Sequence, residues 1–391
     1  MDTPISRKYY IYLIVLLGLL SAFGPFVIDM YLPALPEMIE VFNCDTPDVQ
    51  LGLTFCMIGL ALGQVFFGPA SDMYGRKSIL IFSLVIFVFS SVICCTSTSL
   101  TVFTMAQLLQ GIGGAGGIVL SRSIAADMYS GRELAKLIAI LSAINNLAPI
   151  VAPVAGGGVA QAWGWQGIFI ILLILGIVLL LLSIPLRESL MPRRRFKGSL
   201  MSSFKGYSMV FHIRNFIAYS MVYALGMAAL FAYISSTPFI VQSVFGLSEL
   251  QFSLVFAVNA IGLASGSCLS VRFRSMENAA WIGTLLGSIF AVTGILLAVF
   301  AVRSFLLYEI PVFLMLAGIG FVLTGATAQG MNLGREYAGA ASAVIGGIGY
   351  VAGGLVSPLA GSGNITTSFM FCAMFLAVGA IIIFKVREAD S

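Results

Sequence analysis

Asp29 is the residue of this chain that invites a chemical reading first. It stands in Phe26-Val-Ile-Asp-Met-Tyr-Leu-Pro-Ala-Leu-Pro36, after some twenty residues without charge, and no sequence neighbour neutralises it. A charged side chain near the middle of a membrane-spanning helix costs about 2.5–3.5 kcal/mol on insertion scales. A protonated carboxyl facing a cavity costs less, and it can take a proton from one side and release it to the other. It can also pair, when ionised, with a cationic substrate. Binding proton and substrate at one site, mutually exclusively, gives exchange. The competing reading has Asp29 end the first apolar stretch at the interface, and Pro25, Pro33 and Pro36 leave that helix end open.

Two further stretches carry charge or backbone punctuation. In Gly68-Pro-Ala-Ser-Asp72-Met-Tyr-Gly75-Arg76-Lys77, two glycines permit a tight turn, and Asp72 can meet a helix N-terminus. Arg76 and Lys77 can reach the lipid interface or a nearby acid. In Ala152-Pro153-Val-Ala-Gly156-Gly157, proline bends a helix and the glycines admit a close neighbour, as a hinge requires. The run Gly111-Ile-Gly113-Gly-Ala-Gly116-Gly117 formally satisfies a dinucleotide-binding pattern, but it lies inside an apolar stretch without a preceding strand. Close helix packing explains it better. The lone histidine, His212, reads as a solvated loop residue. The six cysteines have no metal-ligand spacing, and neither a metal nor a disulfide is expected.

The elements that position these residues follow from composition. The chain has 391 residues, 59% hydrophobic and 9% charged, where an ordinary soluble domain is about 25% charged. Apolar runs of helix-spanning length recur from end to end. They predict about twelve spans, near 9–31, 48–70, 78–97, 100–126, 134–159, 166–186, 213–236, 249–271, 279–301, 309–331, 338–360 and 366–385. The first is read as a retained helix and not a cleaved signal, being too long and lacking a small-residue cleavage site.

Basic residues cluster in alternate connections: Arg76 and Lys77, Arg132 and Lys136, Arg187 to Lys205, Arg272 and Arg274, Arg335. Arg303 is the clear exception, and the first connection on the other side, 37–48, is acidic. Both termini are therefore expected in the cytoplasm. The net charge of +4 reflects this asymmetry and does not point to nucleic acid. A basic connection at 191–212 separates an N-terminal unit, 1–190, from a C-terminal unit, 213–391, and their similar size points to internal duplication.

The loop 68–77 resembles the signature between helices two and three of the major facilitator superfamily. With "IDMYLPALP" and "ALGQVFFGPASDMYGRK" it is similar to the bicyclomycin-resistance (Bcr/CflA-type) branch of drug:H+ antiporters, and more weakly so through "SSTPFIV" and "AGAASAVIGGIGYVAGGLVSPL". The resemblance implies an all-α membrane protein of twelve helices in two six-helix bundles. It implies a cytoplasmic latch of Gly68, Asp72, Gly75, Arg76 and Lys77, with Asp127 as the partner of Arg76, that holds the halves together when the protein faces outward. It also makes Pro153, Gly156 and Gly157 the antiporter-motif hinge, although Ala152 replaces the motif's first glycine. The family's arginine before the glycine run is Gln107 here, so Asp29 is expected in neutral company. Arg122 has two readings, a functional cation or a side chain snorkelling to the interface.

The expected function is proton-driven export of small, largely apolar drugs or metabolites across the inner membrane, with Asp29 coupling proton and substrate. Tyr31, Gln64, Gln107, Asn145, Asn146, Asn259 and Gln329 are candidate cavity residues, with Asn332, Tyr223, Phe231 and Tyr233 beside them. The proton gradient supplies the drive, no cofactor is needed, and a monomer in the lipid bilayer is expected. The rival readings are transport of a physiological metabolite (amino acid, sugar or peptide) and a non-transporting receptor or assembly protein. The second predicts long loops or a soluble domain, which this chain lacks. Intramembrane hydrolysis would need a second acid at membrane depth, and the reading of the sequence places none there.

Overall fold

A computed structural model describes residues 7–195, 205–300, 304–361 and 364–390. Part of the basic connection (196–204) and Arg303 lie outside the described residues.

The first apolar stretch is a broken rod. It runs as α1 (Arg7–Ser21), α2 (Phe23–Asp29), a 3-10 turn (Leu32–Ala34) and α3 (Leu35–Phe42). Pro33 and Pro36 fall in the first turns of the last two elements, where a missing N–H costs nothing. The span therefore extends over Lys8–Phe42 and does not end near residue 31. Glu37 and Glu40, expected in a loop, are on α3. The connection shrinks to a short turn in which Asn43 adopts a left-handed φ of 47°. Asp45 then opens α4 (Thr46–Tyr74) in a capping box with Asp48.

α5 (Arg76–Thr96) and α6 (Leu100–Met128) follow as single crossings, and then α7 covers Gly131–Ser183. At about 1.5 Å per residue, its 53 residues are far too long for one crossing. Gly164, with φ 67°, breaks it into two. A side chain rarely tolerates that backbone, so glycine makes the reversal possible without a loop. The second half comprises a short α8 (Lys205–Val210), then α9 (Arg214–Phe239), α10 (Glu249–Leu269), α11 (Met276–Val299), α12 (Phe305–Leu333), α13 (Ala338–Ala360) and α14 (Ile365–Asp390). Eleven helices among the described residues are long and apolar enough to span a membrane. Counting the broken α7 twice gives twelve crossings.

The halves repeat one packing device. In the first, Gly59 of α4 abuts the carbonyl of Leu108, and Gly111 of α6 abuts the carbonyl of Cys56. In the second, Gly266 of α10 abuts the carbonyl of Ala317, and Gly320 of α12 abuts that of Leu263. Each glycine sits three residues after the carbonyl that its own helix offers, in both pairs. A Cβ at any of the four would collide with backbone, so these helices approach more closely than side chains allow. The glycine run of α6 thus serves helix packing.

Between the halves, α4 lies along α13 and α7 along α10. We call the end that carries Arg76, Arg132 and Arg272 the basic end, and the end with the Asn43–Asp45 turn the opposite end.

Candidate functional site

A cavity of about 130 Å³ lies between the halves. Pro25, Ile28, Asp29 and Pro149 wall it from the first half, and the second half contributes mainly apolar and aromatic side chains, with Tyr233, Asn259 and Tyr350 as its polar groups. Asp29 reaches it because α2 ends there and the chain breaks before the 3-10 turn. Its side chain is buried, and no hydrogen bond or ion pair meets its carboxyl among the described residues. Across the cavity, Asn259 Nδ2 donates to the Tyr233 hydroxyl at 2.9 Å. Apolar walls with a few polar groups are the usual form of a small-molecule site.

The backbone beside Asp29 is held by the proline-glycine segment of α7. Gly156 lies directly against the carbonyl of Met30, and Gly157 against Ser253 and the carbonyl of Glu249 on α10. These two glycines therefore join the broken first span to the second half. Pro149 and Pro153 both lie inside α7, and Pro149 lines the cavity.

The opposite end is closed by side chains that reach the other half's backbone. Gln50 Nε2 donates to the carbonyls of Ser235 (2.9 Å) and Gly361 (3.0 Å). Thr54 Oγ1 donates to Gly354 (2.7 Å), and Gln242 Nε2 to Pro33 (2.9 Å). Towards the basic end a second, more polar cavity of about 470 Å³ opens between α4, α6 and α13. Gln64, Gly68, Asp72, Arg76 and Arg122 line it. Arg122 thus faces the space between the halves and not lipid, with the phenols of Tyr223 and Tyr350 in its electrostatic range.

Arg76 is the hub of the basic end. Its Nε donates to Asp127 Oδ2 at 2.9 Å, and Nη1 to Asp72 Oδ1 at 2.7 Å and Ser71 Oγ at 2.6 Å. Its backbone N–H donates to Glu188 Oε1 at 2.9 Å. Gly75, at φ 98°, makes the turn that starts α5 there. Among the described residues Lys77 meets no acid; its Nζ donates to the carbonyl of Ile184 at 2.6 Å. All these partners belong to the first half, so in this arrangement the cluster ties α4, α5 and α6 to each other.

Several expected cavity residues lie elsewhere. Tyr31 is buried in an aromatic cluster with Phe103 and Phe169. Gln107 is buried where α6 faces Gly52, and neither of its amide atoms has a partner. Asn145, Asn146 and Gln329 line neither cavity, and Asn146 and Asn332 are exposed. Phe231, Tyr233 and Asn259 do line the apolar cavity, Gln64 lines the polar one, and Tyr223 packs against Gly349.

One acid escaped the sequence reading. Glu309, in the first turns of α12, has both carboxyl oxygens buried without a hydrogen-bond partner. It corrects the expectation that Asp29 is the only acid at membrane depth. Its position at the edge of a predicted span hid it, yet the uncharged run around Tyr308-Glu309-Ile310-Pro311 repeats the acid, aromatic and proline association of the Asp29 segment.

Comparison with known proteins agrees with this architecture. Residues 15–358 match the Major Facilitator Superfamily. The chain is 34% identical to a Bacillus subtilis protein described as the uncharacterized MFS-type transporter YdgK, over 95% of this chain and 94% of that one. It is 25% identical to the bicyclomycin resistance protein homolog of Haemophilus influenzae, over 97% and 96% of the two chains. Its fold superposes on the partially occluded, inward-open xylose transporter XylE of E. coli with a TM-score of 0.75, at 15% identity over 97% of this chain and 98% of that one. With two six-helix bundles around a central cavity, and with a match to the Major Facilitator Superfamily over most of its length, the chain is a multi-pass membrane transporter, not an enzyme, and belongs to the Major Facilitator Superfamily.

Proposed function

We propose that this protein exports small, largely apolar drugs or metabolites from the cytoplasm across the inner membrane in exchange for protons, by alternating access. The observation that carries the reading is the Asp29 carboxyl, which enters an apolar cavity walled by both halves and has no cation beside it. Gln107 stands in α6 where a family arginine would offer a charge, and its side chain is buried against Gly52 of α4. A carboxyl so placed exchanges a proton for a cationic or dipolar guest, because each stabilises the site without the other. The name of the Haemophilus relative favours a drug over a nutrient as guest.

In the cycle, the contacts of Gln50, Thr54 and Gln242 hold the opposite end shut while the cavity at the basic end admits substrate from the cytoplasm. Gly157 allows α7, with Met30 packed on Gly156, to rock against α10. Closure of the basic end brings the Arg76, Asp72 and Asp127 cluster towards α13, the role of the latch. Both termini lie in the cytoplasm in this reading, the protein works as a monomer, and the proton gradient replaces any cofactor.

The test uses inverted vesicles with an imposed pH gradient and bicyclomycin or chloramphenicol as probe. Substrate collapses the gradient with the wild type, and Asp29→Asn abolishes that response while the protein still accumulates in the membrane. Full coupling in the variant would remove Asp29 from the mechanism. A response to amino acids or sugars, without one to drugs, would replace the drug by a physiological metabolite.

A further inference from the structure

The two cavities between the halves are separated by a thin partition. The apolar one around Asp29, of about 130 Å³, and the polar one towards the basic end, of about 470 Å³, have no lining residue in common. Tyr350 of α13 lines the apolar cavity, and Ile118 of α6 lines the polar one. These two side chains come from opposite halves and meet over Gly24 of α2. The Tyr350 hydroxyl lies 3.2 Å, and Ile118 Cδ1 3.3 Å, from the place that a Cβ on Gly24 would take. Pro25, the next residue, already walls the Asp29 cavity. The contact over Gly24 therefore stands on the boundary between the two spaces.

The backbone that carries Tyr350 is fixed more firmly than its ring. Gly349, the preceding residue, packs on the Tyr223 ring and Met227 of α9, and Gly353 packs on Phe231 of α9 and Met57 of α4. One turn earlier, a Cβ at Gly346 would stand 3.0 Å from Gln64 Oε1 of α4. Helix backbones placed this close to their neighbours have little slack. The Tyr350 hydroxyl, by contrast, meets no hydrogen-bond partner among the described residues. Packing holds the ring over Gly24, and each atom pair contributes only about 0.1–0.2 kcal/mol. The ring can turn aside without breaking a polar bond.

We propose that Tyr350 is a selectivity residue, whose ring closes the passage from the polar cavity to the Asp29 cavity and, with Ile118, sets the size of guest that reaches Asp29. This goes beyond the exchange reading above and requires no proton transfer at Asp29. A small or flat guest passes when the ring turns aside, and a bulky one is held in the polar cavity. Because the contact is made across the halves, it also loosens when they move apart.

Thiol accessibility in inverted vesicles, with the full-length chain in a cysteine-free background, tests this without a known substrate. Ala260→Cys reports the apolar cavity and Ser123→Cys the polar one, since each position lines its own cavity. The probes are a small trimethylammonium-ethyl methanethiosulfonate and a bulky fluorescein maleimide. Both are expected to label Ser123→Cys, whereas Ala260→Cys takes the small probe and excludes the bulky one. Tyr350→Ala should raise bulky-probe labelling of Ala260→Cys about tenfold, the factor for removing about 1.4 kcal/mol of barrier, and leave Ser123→Cys unchanged. Tyr350→Phe, which loses only the hydroxyl, should raise it less. Ile118→Ala should act in the same direction from the other half, and it decides the matter if Tyr350→Ala fails to accumulate. Bulky-probe labelling of Ala260→Cys that neither alanine variant changes overturns the proposal. So does an equal rise at both reporters, which would show a shift between states of the transporter and not an opened partition. Full proton coupling in Asp29→Asn would leave this labelling pattern standing, so the failure of either reading is distinct from that of the other.

Discussion

Gly156 has no room for a side chain because the carbonyl of Met30, the residue after Asp29, occupies the place where a Cβ would go. The bend of α7 and the acid of α2 are thereby one mechanical unit. Gly156→Ala must push the Asp29 turn out of register, and crowding a packed site costs about 1–3 kcal/mol. We expect lower thermal stability in detergent and loss of drug-dependent proton flux. Gly158, two residues away, has open space around it, and Gly158→Ala is expected to behave as wild type. Equal effects in the two variants, read by melting temperature and flux, would show that helix propensity and not the Met30 contact is at work.

Arg76 is mostly buried, and Asp127 is its better-buried partner, at 18% side-chain exposure against 50% for Asp72. Removing Asp127 leaves a buried guanidinium with a half-exposed acid and a serine. A charged hydrogen bond of this kind contributes about 1.5–3 kcal/mol. Asp127→Asn is expected to destabilise by about that much, and Asp72→Asn by less. A double-mutant cycle with Arg76→Gln, measured by thermal unfolding, should give a coupling that is larger for Asp127.

Gln50 spans the halves at the opposite end with two hydrogen bonds from one amide nitrogen. Gln50→Ala removes both, at about 0.5–1.5 kcal/mol each. The equilibrium should move towards opening of that end by about tenfold. Spin-label distances between Asp48 and Glu249 positions, each changed to cysteine in a cysteine-free background, will report it as a growing long-distance population.

Cys44 lies in the turn between α3 and α4, and burial, with Asp48 and Asp45 nearby, pushes its thiol up from the ordinary value. The reactive thiolate is therefore scarce at neutral pH and grows as pH rises, since a raised pKa delays ionisation. With Cys44 as the only cysteine retained, a membrane-impermeant maleimide should label intact cells slowly at neutral pH and faster at alkaline pH. Labelling only after the membrane is opened would reverse the orientation proposed here.

Much of this architecture was legible in the chain because hydrophobicity and charge act locally. A 59% hydrophobic sequence with basic residues in alternate connections must cross a bilayer many times. Asp29, the 68–77 loop and the proline-glycine segment were visible because each violates the local pattern. The contacts were not legible. Tyr31 and Gln107 look as suited to a cavity as Tyr233 and Asn259, and only helical phase within the packed bundle sends the first pair into the first half's interior and the second pair to the gap. The first span's extension beyond Asp29 depended on Pro33 and Pro36 starting new turns instead of ending a helix. Glu309, at the edge of a predicted span, carried no signal of its own in the sequence, and only packing buries its carboxyl oxygens. Composition determined the fold class and the spans. Tertiary packing decided which polar groups share a cavity, because that depends on how two helices separated by hundreds of residues turn their faces to each other.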